Sequence, residues 1–312
     1  MDWIYILIVG ILMALAVSGL VVGVANDAVN FLNSAIGSKA AKPWVIMAVA
    51  SVGIMIGALT SSGMMEVARS GVFYPTEFMF SELMMLFLGV MFANVILLDL
   101  FNTFGLPTST TVSLVFGLLG SGIAAASYKI IKSDTLTVAN LGQFINSSST
   151  LIIISGILIS VALAFVGGSI IMYVTRIIFT FRYKKVFNNF GYLWCGVAFT
   201  AIAYFAMFKG LKSSGLISDQ FMDMVNNNLW LSLLVLWLIC SALLALLQHA
   251  FKVNILKITI LAGTFSLALA FAGNDLVNFI GVPIAGWDSY QIAKAAGGNT
   301  LRVLKEAWYP VA

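Results

Sequence analysis

Two short stretches repeat each other inside oily sequence. Residues 25–31 read Ala25-Asn26-Asp27-Ala28-Val29-Asn30-Phe31, and residues 273–279 read Gly273-Asn274-Asp275-Leu276-Val277-Asn278-Phe279. Both spell N-D-x-V-N-F. A charged side chain at membrane depth costs roughly 2.5–3.5 kcal/mol on insertion scales, so an intramembrane Asp reads as a functional site. A carboxylate with amide oxygens on either side makes an oxygen-rich cage, and hard cations prefer oxygen ligands. Asp27 and Asp275, with Asn30 and Asn278, therefore form a candidate cation site, for sodium or for a proton. The plainer alternative is that each Asp caps a helix or pairs with a buried Lys or Arg.

A second polar cluster is Gly105-Leu106-Pro107-Thr108-Ser109-Thr110-Thr111. Pro suits the first turn of a helix, and Ser and Thr are good N-caps. The stretch reads as a helix start presenting four hydroxyls and several unpaired backbone N–H groups. Such an end attracts anions through those donors and the positive end of the helix dipole. Hydroxyl and N–H donors with no adjacent Lys or Arg suit a tetrahedral oxyanion that must also be released. The alternative is an ordinary capped helix.

These residues must be held by membrane-spanning elements. The chain has 312 residues, 61% hydrophobic and 9% charged, with a mean hydropathy of +1.04. Soluble domains carry about 25% charged residues, so this is an integral membrane protein. Its net charge of +4 reads as loop bias, not as a nucleic-acid-binding surface. Cys195 and Cys240 lie in apolar segments, which argues against a disulfide scaffold, and one His, His249, cannot build a histidine metal centre. Asp2 stands where a signal peptide would be basic, so the apolar run from Trp3 reads as a first span.

A span needs about 20 mostly apolar residues. Candidates are 4–25, 43–60, 79–100, 107–127, 151–179, 190–208, 229–249 and 255–276, which gives an all-α protein of about eight transmembrane helices. The stretches 61–78, 128–150 and 209–228 read as connections. Gly19, Gly23 and the Asn residues around the first motif predict a helix that opens there, and an opened helix is tolerated only where it lines a cavity. Lys39, Lys42, Arg182, Lys184, Lys185, Lys252 and Lys257 fall on one side of this arrangement. Arg69, Lys129, Lys132, Lys209 and Lys212 fall on the other, a seven-to-five bias that puts the first group in the cytoplasm and the N-terminus outside. The two motif helices then run in opposite directions, as inverted-topology repeats require, and such repeats are common in secondary transporters.

The paired N-D motifs and the Pro107–Thr111 helix start resemble the inorganic phosphate transporter family. Gly23-Val24-Ala25-Asn26-Asp27-Ala28-Val29-Asn30 is similar to the first G-A-N-D-V-A-N-A-like signature, and Ala272–Asn278 to the second. The resemblance implies inverted repeats and cation-coupled phosphate uptake, driven by sodium or protons, in a plasma (inner) membrane protein. It implies a phosphate site at Thr108, Ser109, Thr110, Thr111, Asn26 and Asn274, and a cation site at Asp27, Asp275, Asn30 and Asn278. It implies no enzyme activity and no cofactor beyond the coupling ion. The organisation expected is a first repeat over 1–150, connecting helices over 151–249 and the start of a second repeat over 250–312. Residues 276–312 hold no second P-x-S-T-T-like stretch, so the second repeat reads as incomplete.

Other readings remain at this stage. Sulfate is also a tetrahedral oxyanion, and no residue pattern separates it from phosphate. A non-transporting, phosphate-binding membrane fragment fits the short second half. An intramembrane aspartyl hydrolase needs its carboxyls about 3 Å apart, and both Asp contexts lack the G-x-G-D pattern of such proteases. Asp99, near Asn102 and the Pro107–Thr111 turn, reads as a partner that supports the site residues from behind, as a cation ligand or as an interfacial acid. Glu82 reads as solvated, Glu66 and Arg69 as a surface pair, and Arg176, Arg182, Lys184 and Lys185 as an anchor to anionic lipid. The expected partners are inorganic phosphate and the bilayer, with no nucleic acid. Small residues in several spans permit a homodimer without identifying its face.

Overall fold

The structure, a computed structural model, describes residues 3–60, 71–133, 135–180, 183–205 and 219–295. Glu66, Arg69, Lys209, Lys212, Arg182 and the tail from Gly297 lie outside the described residues. The protein is all-α. Its helices are α1 (Trp3–Gly37), α2 (Pro43–Thr60), α3 (Phe80–Thr103), α4 (Thr110–Lys132), α5 (Ser147–Phe179), α6 (Tyr183–Phe205), α7 (Asp219–Asn227), α8 (Leu229–His249), α9 (Ile255–Asn274) and α10 (Leu276–Ala295). Among the described residues the one β feature is an isolated antiparallel bridge, Phe73 to Ile145. Among the described residues seven helical stretches are long and apolar enough to cross a membrane, and Pro43–Leu59 is a shorter apolar helix. Each of the eight predicted spans coincides, over its described residues, with a helix or most of one, and this is a multi-pass membrane protein.

Several boundaries differ from expectation for identifiable reasons. Asn146 Oδ1 accepts the Ser149 N–H at 3.2 Å, so Ser147–Thr150 form the first turn of α5, not the end of a loop. Asn and Ser favour such positions because they satisfy orphan helix donors. Residues 219–227, read as connection, form the short helix α7. The largest omission is α10, whose Gly281, Pro283, Gly286 and Asp288 break its apolar run. It carries Pro283 within the helix and buries residues on all sides, including Phe279, Val282, Pro283, Ala285 and Tyr290. Burial on every face makes a helix insensitive to periodicity, which is why no stripe marks it.

The chain forms two compact units that are interleaved in sequence. The first comprises 1–28, 62–158 and 274–312, and the second 29–61 and 159–273. Two of the chain's four crossings between the units, at Ala28–Val29 and at Gly273–Asn274, fall at the two N-D motifs.

In the first unit α10 packs on α3 and α4. Its core joins Leu12 of α1, Phe87 and Met91 of α3, Leu114 and Leu118 of α4, and Val282 and Ala285 of α10. One end is closed by aromatic packing, with Phe78 5.8 Å from Phe73 and 5.6 Å from Phe144 between ring centroids. Lys129 Nζ donates to Glu77 O at 2.7 Å and to Glu82 Oε2 at 3.0 Å, beneath the rings of Phe78 and Phe144. Glu82 also accepts the Met79 N–H at 2.7 Å, so this partly exposed acid caps α3 and pairs with Lys129.

In the second unit α6 packs along α8. A Cβ on Gly196 would overlap Ser241 Oγ, and Trp237 Nε1 donates to Leu193 O at 3.1 Å. Gly53 lets α2 approach α9 so closely that a Cβ there would lie 2.6 Å from Phe265 O. Phe31, the last residue of the first motif, rests 5.4 Å from Phe271 of α9.

Candidate functional site

The two motif copies differ in backbone. Asn26 and Asp27 sit inside the unbroken, 35-residue helix α1. The expected opening of that helix is absent, and Gly19 and Gly23 have another task. A Cβ on Gly19 would lie 2.9 Å from Phe279 Cδ1, and one on Gly23 would overlap the Phe279 ring. The glycines are a groove that seats the phenylalanine of the second motif, which is fully buried. The second copy is interrupted as expected, because α9 ends at Asn274, Asp275 is a turn residue and α10 starts at Leu276. The Asn278 N–H bonds to Asp275 O at 3.2 Å across this turn.

Asn26 holds the loop that precedes α4. Its Nδ2 donates to Asn102 Oδ1 at 2.8 Å and to Leu106 O at 3.1 Å, and its Oδ1 accepts the Thr108 N–H at 3.1 Å. Asn102 Nδ2 in turn donates to Val22 O at 2.9 Å. Asn26 was expected to contact the anion, but here its donors and an acceptor lone pair are committed to the loop. Asn102 enters the site as a clasp between α1 and α3, while its neighbour Asp99 is exposed. The clue in the sequence was an amide one turn before the P-T-S-T-T stretch, which the more conspicuous Asp99 obscured.

The start of α4 meets the second motif. Ser109 is the N-cap, its Oγ accepting the Val112 N–H at 3.3 Å, which leaves its own proton available. Thr111 Oγ1 donates to Asp275 Oδ1 at 2.8 Å and accepts from Asn278 Nδ2 at 3.0 Å. The relay Asn278–Thr111–Asp275 thus fixes α4 against α10. Thr110 is buried beside Asp275, with its hydroxyl forming no hydrogen bond of good geometry. Asn278 is buried too, and its Oδ1 has no hydrogen-bond partner. Asp27 is buried and close enough to Asp275 for their charges to interact. The two carboxylates, with the unsatisfied Asn278 Oδ1 close by, form an acceptor-rich cluster, the arrangement that a cation or a shared proton would satisfy.

Three features complete the neighbourhood. Ser113 Oγ donates to Asn94 Oδ1 at 2.5 Å, and Asn94 Nδ2 is buried without a partner. The signal for this pair was an amide in an apolar span and a hydroxyl one turn beyond the helix start. Asn30 is exposed and belongs to the second unit. Asn274 ends α9, and the description of that position is limited to its backbone. Among the described residues no group of three or more His, Cys, Asp or Glu could hold a metal ion, and Cys195 and Cys240 are free thiols.

Comparison with known proteins follows this geometry. A protein of Thermococcus kodakarensis described as a candidate phosphate permease is 30% identical over 224 residues, covering 69% of this chain and 49% of the relative. A sodium-dependent phosphate transporter of Toxoplasma gondii is 32% identical over 114 residues, 35% of this chain and 13% of that one. This chain therefore spans about half the length of the first of these relatives, and less of the second. A solved structure of a sodium-dependent phosphate transporter superposes with a TM-score of 0.68 at 19% identity, covering 95% of this chain and 69% of the other, and so shares its fold. The model of the phosphate transporter family matches residues 23–305, which include both N-D motifs and the α4 start. The chain belongs to the phosphate transporter family.

Proposed function

We infer that this chain carries inorganic phosphate across the membrane in symport with a cation. The observation that carries this reading is the relay Asn278–Thr111–Asp275, which couples an anion-presenting helix start to an intramembrane carboxylate. Phosphate would be received by the first-turn N–H groups of α4 and the hydroxyls of Thr108, Ser109 and Thr110. Those N–H groups have no helical acceptor, and Ser109 keeps its proton. The cation would sit at the acceptor-rich cluster of Asp27, Asp275 and Asn278 and offset the phosphate charge while the site is closed to water. Asn274 joins that site by motif position alone.

Two similar proteins are named as sodium-dependent, which supports sodium over a proton as the coupling ion. The charge bias of the loops supports an orientation with the N-terminus outside, and the plasma membrane is proposed from the family resemblance alone.

The test is labelled-phosphate uptake into proteoliposomes containing the 312-residue chain, under a sodium gradient and then a proton gradient. Accumulation driven by one gradient, competed by phosphate but not sulfate and lost in Asp27→Asn and Asp275→Asn, is the expected result. Saturable phosphate binding without accumulation under either gradient would replace transport by binding.

A further inference from the structure

The start of α6, the end of α8 and the start of α9 enclose a cavity of about 350 Å³, far along the chain from the α4 start and wholly within the second unit. Lys184, Lys252, Asn188, Asn254, Gln248 and Tyr183 are among its lining residues. No acid lines it, and neither α6 nor the sequence from Leu229 to Asn274 contains an Asp or Glu. Two lysines, both exposed to solvent, therefore line one cavity with no countercharge from the elements that build it.

Three further details give the cavity a built character. Lys252 is held at φ +52°, a region L-residues seldom occupy, in a turn closed by the Val253 N–H on Leu247 O at 3.0 Å. Gln248 Nε2 donates to Asn188 O at 2.9 Å, tying α8 to α6, while its Oε1 is buried with no hydrogen-bond partner. At the start of α9, Asn254 Oδ1 takes the Lys257 N–H at 3.3 Å. The first-turn N–H groups of Ile255 and Leu256, which also line the cavity, have no helical acceptor.

We propose that this cavity binds a hydroxyl-bearing phosphate group. Two ammonium groups and a helix N-terminus supply the donors that a phosphate oxygen needs. Gln248 Oε1 supplies the acceptor for a hydroxyl on the same ligand. Two sources have this chemistry: the headgroup of an anionic phospholipid such as phosphatidylglycerol, and hydrogen phosphate itself. The lipid is the favoured source. Phe251, Val253 and Leu256 expose apolar surface around the cavity, and basic pockets between spanning helices suit anionic headgroups. A site of this kind is more specific than the diffuse basic anchor that Lys184 and Lys185 suggest in the sequence.

The experiment compares the full chain with Lys184→Gln/Lys252→Gln, Lys184→Arg/Lys252→Arg and, as a charge control, Lys39→Gln/Lys42→Gln. Each is purified from nanodiscs of equal phosphatidylglycerol and phosphatidylcholine, and retained lipid is counted by native mass spectrometry. The lipid source predicts selective phosphatidylglycerol retention, reduced roughly thirtyfold in affinity in the Lys184/Lys252 glutamine variant, kept by the arginine variant and unaffected by the control. A second arm adds inorganic phosphate to Asp275→Asn protein in phosphatidylcholine alone. Thermal stabilisation that disappears when Lys184→Gln/Lys252→Gln is added assigns the same cavity to free phosphate. Equal loss of lipid in both glutamine variants overturns the proposal. So does unchanged retention combined with no phosphate stabilisation.

Discussion

The two N-D-x-V-N-F copies share their letters and diverge in backbone and in the bonds they make. In the first copy the helix is continuous, and Asn26 is committed to Asn102, Leu106 and Thr108. In the second copy the helix breaks at Asp275, and the polar side chains turn onto Thr111. One copy positions the loop that precedes α4, while the other contacts a hydroxyl of the first turn of α4. The residue preceding each Asn differs in the same sense: Ala25, a strong helix former, in the continuous copy and Gly273, a weak one, in the broken copy. A duplicated sequence thus need not give a duplicated site. The coupling between the copies is physical, since Phe279 of the second fills the groove formed by Gly19 and Gly23 just before the first.

The comparison breaks most sharply at the carboxylates. Asp275→Asn and Asp27→Asn should each reduce phosphate accumulation in proteoliposomes to background, because either removes one of the two carboxylates that would hold the cation. If Asp27→Asn retained gradient-driven uptake, the first copy would be a loop anchor only, and the cation would belong to the second copy alone.

The next effect is steric. Gly23→Ala places a methyl group into the Phe279 ring, and overpacking of this kind typically costs about 1–3 kcal/mol. Thermal unfolding of the purified protein should show the loss, and Phe279→Leu in the same chain should recover part of it. Equal destabilisation in the single and double variants would show that the two copies do not meet through this ring.

How much of this was legible beforehand depends on the kind of information each residue carries. The N-D pairs and the P-T-S-T-T start announce themselves because polar residues in apolar sequence are costly. The role of Gly19 and Gly23 was not legible, because glycine at helical spacing signals flexibility and close approach alike, and only the partner ring decides between them. α10 was hidden by its own burial, since a helix packed on every side tolerates Gly, Pro and Ser and shows no stripe. Asn102 and Asn94 were visible as letters, but their partners, Asn26 and Ser113, are far away in sequence.

Thr111 tests the hydroxyl relay at the level of single atoms. Thr111→Val keeps the shape and deletes both the bond to Asp275 and the bond from Asn278. A hydrogen bond to a charged group contributes about 1.5–3 kcal/mol, so phosphate affinity or uptake should fall on the order of tenfold to a hundredfold. Thr111→Ser retains the hydroxyl and should retain most activity. Concentration-dependent uptake by the two variants separates a hydroxyl role from a packing role, and equal loss in both would point to packing.

The smallest expected effect bears most directly on why the copies differ. Gly273 has no atom within 4 Å of the position its Cβ would take, so Gly273→Ala introduces no clash and changes the intrinsic preference of the backbone. It also makes the tripeptide at 273–275 identical to Ala25-Asn26-Asp27. Helix propensity favours alanine by up to about 1 kcal/mol, and restricting the unfolded chain adds in the same direction. If the break at Asp275 is set by this residue, the variant should gain a few tenths to about 1 kcal/mol in thermal stability while losing uptake severalfold, because a straighter helix withdraws Asp275 from Thr111. If stability rises and uptake is unchanged, the break is imposed by the packing of α10 through Phe279 and Pro283. The difference between the copies would then originate in their surroundings and not in the letter before the Asn.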